Sequence, residues 1–157
     1  MPDDDPLRHA ELTYLFGMAF QLLQTSFVRW LDAAGYTDLR PVHGLVFQLL
    51  RHGGATSSEI AEQLGVTKQA AGQIVQYLED HGYVTRTPHP EGGRRRLVEL
   101  TDKARGHLAV AGRLLAELEA QLEARLGDAD LAVMRRAVAN VIRELAGTDL
   151  PPLRPTW

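Results

Sequence analysis

Apolar residues recur every three or four positions over most of this chain, the period of helices with one buried face. From Leu7 to Ala34, the series Leu12, Leu15, Phe16, Ala19, Leu22, Leu23, Phe27 and Leu31 predicts one long amphipathic helix that Gly35 can close. A helix of that kind needs a partner surface. A second helix is expected from Pro41 to His52, with Leu45, Val46, Leu49 and Leu50 on its apolar face. Proline suits its first turn, where a missing N–H costs nothing, and Gly53-Gly54 stops it. Thr56-Ser57-Ser58-Glu59 has the spacing of a capping box and opens a short third helix, which buries Ile60, Ala61 and Leu64. Gly65 then permits a sharp turn. Thr67 caps a fourth helix that runs to about His81, with Ala70, Ala71, Ile74, Val75 and Leu78 inward and Lys68, Gln69, Gln73 and Gln76 outward.

After Gly82 the period changes. Tyr83–Arg86 and Arg96–Leu100 are β-prone runs, separated by a loop with two prolines and two glycines, and together they predict a hairpin. Helical spacing resumes from Thr101-Asp102 to about Leu126, through Leu108, Leu114, Leu115, Leu118 and Leu122. Gly127-Asp128 breaks it. A sixth helix is expected over about 129–146, with Leu131, Met134, Val138, Val141, Ile142 and Leu145. The proline-rich end, Pro151 to Pro155, cannot be helical.

Composition adds exclusions. At 45% hydrophobic and 24% charged residues, the chain is expected to fold rather than remain disordered. It has no cysteine, which removes disulfides, zinc–thiolate sites and thiol sensing. No apolar run approaches the roughly 20 residues that cross a bilayer. The first residues, Met1-Pro2-Asp3-Asp4-Asp5, are acidic where a signal peptide is basic. A cytoplasmic location without a membrane partner is the expectation. No paired nucleophile and base, phosphate loop or metal signature is present, so an enzyme is not expected.

The net charge of −3 argues against a nucleic-acid binder until its distribution is considered. Between His81 and Val98, Arg86, Arg94, Arg95 and Arg96 face Glu91 as the one carboxylate near the hairpin tip. A local basic patch sets the field at a contact surface, whatever the total. The order is therefore a capped short helix, a glycine turn, a polar-faced helix and a basic hairpin. That is a winged helix-turn-helix, whose second helix fits a major groove about 12 Å wide. Gln69 and Gln73 suit adenine, and Lys68 suits guanine or phosphate. Thr67 and Ser57, at helix starts, are phosphate candidates. Arg86, Arg94, Arg95 and Arg96 complete the candidate DNA contacts. Strand alternation prevents the three consecutive arginines from all facing one way, so at least one is expected to be a bystander or paired.

Three segments carry a family resemblance. They are Leu64-Gly65-Val66-Thr67-Lys68-Gln69-Ala70-Ala71, Leu78-Glu79-Asp80-His81-Gly82-Tyr83-Val84, and the run from Arg94 to Thr101. Together they resemble the MarR family, and the order of elements matches over nearly the whole chain. The resemblance implies a mainly α-helical fold, with dimerisation helices at 1–36 and 102–148, a winged domain at 37–101 with a two-stranded wing, and a flexible tail at 149–157. It implies a homodimer on a pseudo-palindromic operator in double-stranded DNA, usually a repressor tuned by a small organic effector, with no other cofactor. It also places Arg94 in or beside the minor groove, with Arg95 and Arg96 as alternatives. Family wings commonly carry an Asp two positions before that Arg, and here Gly92 stands in its place. The second and fifth helices line the family's effector cavity. His43 and His107 are therefore candidate effector contacts, as are Phe16, Phe20 and Trp30, although aromatics on such a helix also suit a dimer core. Two histidines fall short of the roughly four ligands of a zinc site, so no metal is expected.

Overall fold

Each helix start that the sequence marks with a threonine carries its cap in the structure, a computed structural model describing residues 5–155. Asp3 and Asp4 of the acidic N-terminus and the last two residues of the tail lie outside the described residues. The elements are a 3₁₀ turn at Pro6–His9, then α1 (Leu12–Ala33), α2 (Pro41–Leu50), α3 (Ser57–Leu64), α4 (Lys68–Asp80), β1 (Val84–Pro88), β2 (Arg96–Leu100), α5 (Asp102–Leu126) and α6 (Asp128–Ala146). The first helix therefore starts later than its apolar pattern suggests. Asp5 caps the short Pro6–His9 turn by accepting the Leu7 N–H at 3.0 Å, and extended backbone at Ala10 and Glu11 separates that turn from α1. Also, α2 ends two residues before His52 in a turn, and His81 is the cap of α4 rather than its last helical residue.

The chain divides into two compact units, 1–37 and 38–157. The first is dominated by α1, on which Leu31 is buried while Leu12, Tyr14, Phe16, Phe20 and Leu22 are exposed. The second holds the winged motif and α5–α6. Its core is Val46, Phe47 and Leu50 from α2, Ile60, Ala61 and Leu64 from α3, and Ala71, Val75 and Leu78 from α4, with Tyr83, Val84, Val98 and Leu100 from the hairpin and Ala104 and Ala111 from α5. Ala70 and Ile74 are only half-buried, at the margin of the stripe predicted for α4.

Two caps fix the helix-turn-helix. Thr56 N–H and its hydroxyl both donate to Glu59 Oε2, at 2.7 and 2.8 Å, and the Thr56 hydroxyl accepts the Glu59 N–H at 3.3 Å. The Thr67 hydroxyl accepts the Ala70 N–H at 3.1 Å. Between them Gly65 closes α3 at φ +67°, a left-handed backbone that favours glycine.

In the hairpin Val84 pairs with Leu100 and Pro88 with Arg96, antiparallel. Alternation buries Val84, Val98 and Leu100 against the helices. Ala55 adds a further rung on the other side of β2 by exchanging two backbone hydrogen bonds with Val98, at 3.1 and 2.8 Å. That rung explains the second half of Gly53-Gly54. A Cβ on Gly54 would lie 2.6 Å from Leu97 Cγ, so the glycine lets the sheet approach as well as stopping α2. No described helix is long and apolar enough to cross a membrane.

Candidate nucleic-acid interface

Burial of Ala71, Val75 and Leu78 forces the opposite face of α4 outward. Lys68, Gln69, Gln73 and Gln76 are all exposed there, beside the cap residue Thr67. Lys68, Gln69 and Gln73 stand in the first turns of the helix, the end that reaches base edges when such a helix enters a groove. Gln76 is differently placed. Its amide nitrogen donates to Asp80 Oδ1 at 2.8 Å, and its oxygen accepts from Arg86 Nη1 at 3.2 Å. Arg86 Nη1 also lies 3.1 Å from Glu79 Oε2. This arginine, grouped by sequence with the DNA contacts, is engaged in fastening the base of the wing to α4.

The three consecutive arginines diverge. Arg96 Nη2 donates back to the Arg86 carbonyl at 3.3 Å. Arg95 Nη2 is 2.8 Å from Glu91 Oε2. Arg94, at the tip, is exposed and makes no ion pair among the described residues. Gly92 and Gly93 sit at φ +79° and +80°, and Gly92 N–H closes the tip turn onto the His89 carbonyl at 2.8 Å. An Asp at position 92 would be strained at that φ. The wing instead carries its carboxylate at Glu91, which steadies Arg95 rather than Arg94.

Below the wing an open cleft of about 570 Å³ is lined by Thr56, Ser57, Ser58 and Glu59 at the start of α3, and by Arg86, Arg95 and Arg96. Sequence reasoning points to Ser57 and the arginines but treats Thr56 only as a cap and misses Ser58; the capping-box spacing is the signal available for both. Three guanidinium groups and the Glu59 carboxylate meet here, with Arg86 already paired to Glu79 and Arg95 to Glu91. Glu59 titrates below the usual carboxylate range because the Thr56 N–H and hydroxyl bind its ionised form, helped by His89 and Arg95. The cleft thus offers hydroxyls, free N–H groups of a helix start and guanidinium donors, which together suit an anion such as phosphate.

The five candidate effector residues divide between the units. Phe16 and Phe20 are exposed and Trp30 half-buried in the first. His43 and His107 are buried in the second. His43 Nδ1 accepts the Arg40 N–H at 3.0 Å, and its ring stacks on Tyr77 at 4.9 Å. Burial lowers its pKa from 6.5 to about 4, with Arg40 adding to the effect. His107 packs edge-on to Phe47 at 5.2 Å, and burial lowers its pKa as well. Both are neutral core histidines at pH 7. No cluster of three or more potential metal ligands occurs among the described residues.

A capped helix pair, an outward polar face and a basic hairpin define a winged helix-turn-helix protein. Residues 35–95 match the model of the MarR family. By structure the chain is similar to the transcriptional repressor CouR bound to a 23-mer DNA duplex, with 28% identity over 87% of this chain and 92% of that one and a TM-score of 0.69. It is similar also to apo MarR from E. coli (21% identity, 85% and 98% coverage, TM-score 0.69) and to a mutant MarR from E. coli complexed with operator DNA (22%, 83% and 93%, 0.66). No match was found among curated proteins by sequence. Residues 35–95 thus match the MarR family, and the chain as a whole shares the fold of CouR and MarR.

Proposed function

We propose that this protein is a transcription regulator that binds a pseudo-palindromic operator in duplex DNA as a homodimer, represses, and is released by a small organic effector. The observation that carries the DNA reading is the placement of Lys68, Gln69 and Gln73 on one exposed helix face, beside a cleft lined by hydroxyls and arginines. Helix α4 supplies base readout, and the cleft and wing supply phosphate and minor-groove contacts. CouR and MarR, whose folds this chain shares, have been captured on DNA.

The homodimer reading is supported by apolar side chains left in solvent at both ends of the chain. On α1 these include Leu12, Phe20 and Leu22, and on α6 Val133, Met134, Ile142 and Leu145. No residue of α6 is buried, so this amphipathic helix has its partner surface still to find. A two-fold dimer presents its two reading helices to half-sites about 34 Å apart. An effector seated among the helices would act by favouring a spacing that does not fit those half-sites. Function on this reading is binding, not catalysis.

The test is selection from random duplex DNA with the purified protein, followed by two variants. Enriched palindromes support the reading, and absence of enrichment refutes it. Gln73→Ala should change sequence preference; uniform weakening on all operator variants would remove base readout from Gln73. Arg94→Ala should weaken all sequences and flatten the salt dependence by about 0.9 for each phosphate that Arg94 neutralises. An unchanged slope would remove Arg94 from the interface.

A further inference from the structure

The geometry points to Arg154 as a further phosphate-contacting residue, carried to the helix-turn-helix by the C-terminal tail. The inference rests on the DNA reading above and adds a third element to helix and wing. The side chain of Arg154 lies against Gly65, the turn between α3 and α4. A Cβ built on Gly65 would meet Arg154 Cδ and Nε at 3.0 Å and Cζ at 3.2 Å. Gly65 has no such atom, and the guanidinium occupies the space. Two residues further on stands Thr67, followed by Lys68 and Gln69 of the reading face.

Three properties suit this arginine to DNA. It is exposed, and it makes no ion pair or hydrogen bond among the described residues, so its fork of N–H donors is uncommitted. It sits at the C-terminal end of α3, where the helix dipole favours a cation and can hold it near the turn before any DNA arrives. The backbone that carries it, Pro151-Pro152-Leu153-Arg154-Pro155, has three ring-locked φ angles, so less freedom is given up when the guanidinium engages a phosphate. Sequence patterning reads this segment only as a non-helical tail, because nothing local marks its contact with a turn far earlier in the chain.

The experiment measures binding of the full-length protein to a labelled random-sequence duplex by fluorescence anisotropy across a salt series, so that no operator need be known. Arg154→Ala and a chain ending at Leu150 should both flatten the plot of log affinity against log salt, by about 0.9 per protomer, and Arg154→Lys should retain most of the slope. Oligomeric state and melting temperature are measured alongside and should stay at wild-type values for Arg154→Ala. An unchanged slope overturns the proposal. So does a lowered melting temperature with unchanged slope, which would make the contact structural. Tighter binding by either variant also overturns it, because the tail would then be shielding the surface. If the wild-type protein itself binds no duplex, the DNA reading fails first and this inference with it; binding by wild type with no change in the variants isolates the failure to Arg154.

Discussion

Acidification should destabilise the fold through His43, by an amount that follows from its surroundings. Its Nδ1 accepts the Arg40 N–H at 3.0 Å, so the ring is held in the tautomer with its proton on Nε2. A second proton would place two N–H groups head to head inside a buried site. Burial and Arg40 accordingly hold the folded-state pKa at about 4, against 6.5 in the unfolded chain. The unfolded chain then binds more protons between about pH 6.5 and pH 4, and stability is lost as pH falls through that window. At pH 5 the unfolded state is nearly fully protonated at this site and the folded state about one-tenth, which lowers stability by about 2 kcal/mol relative to pH 7.5. The full loss, reached below pH 4, is about 3 kcal/mol. His107, also lowered by burial, acts in the same direction. The assay is urea denaturation at fixed protomer concentration, because the proposed dimer would make stability concentration-dependent. His43→Asn keeps an acceptor for the Arg40 N–H but does not titrate. It should be less stable than wild type at pH 7.5, through poorer packing, and should lose less on acidification. Equal pH dependence in the two proteins would refute the assignment to His43.

Two further substitutions test the scaffold that presents the site. Gly54→Ala places a Cβ 2.6 Å from Leu97 Cγ and 2.9 Å from Glu99 Cγ, and should cost about 1–3 kcal/mol in denaturation as the Ala55–Val98 rung is pushed apart. Wild-type stability would show that Leu97 moves aside freely. Thr67→Ala removes the acceptor of the Ala70 N–H and should cost about 1 kcal/mol, with Thr67→Ser restoring most of it. A loss shared equally by the serine variant would mean that the methyl group, not the cap, matters.

Patterning locates the winged motif well because its determinants are local. Caps at Thr56, Thr67 and Thr101 lie within three residues of the groups they satisfy, and the inward stripe of α4 follows from period alone. The roles of individual arginines are less legible. Arg86 meets Glu79 and Gln76 across a helix–strand junction, and Arg95 meets Glu91 only because two left-handed glycines fold the tip back. Neither pairing has a fixed spacing in sequence. Periodicity misplaces the start of α1 because Leu7 fits the helical period, while Asp5 and Pro6 set up a separate short turn. Gly54 reads from sequence as a helix stop alone, since its approach to Leu97 is a non-local contact.

The bonds around Gln76 bear on how such a regulator can be retargeted. Gln76 joins Asp80 and Arg86, and Arg86 joins Glu79, so one side chain of the outward helix face is also a tie-beam of the wing. Residues on that face are therefore not interchangeable letters of a reading code. Gln69 and Gln73 are exposed and can be randomised without disturbing the hairpin. A library that includes position 76 changes the seating of the wing along with the helix face, so its members would differ in geometry as well as in side chain. Keeping Gln76 and Arg86 fixed leaves an operator-redesign experiment with one variable.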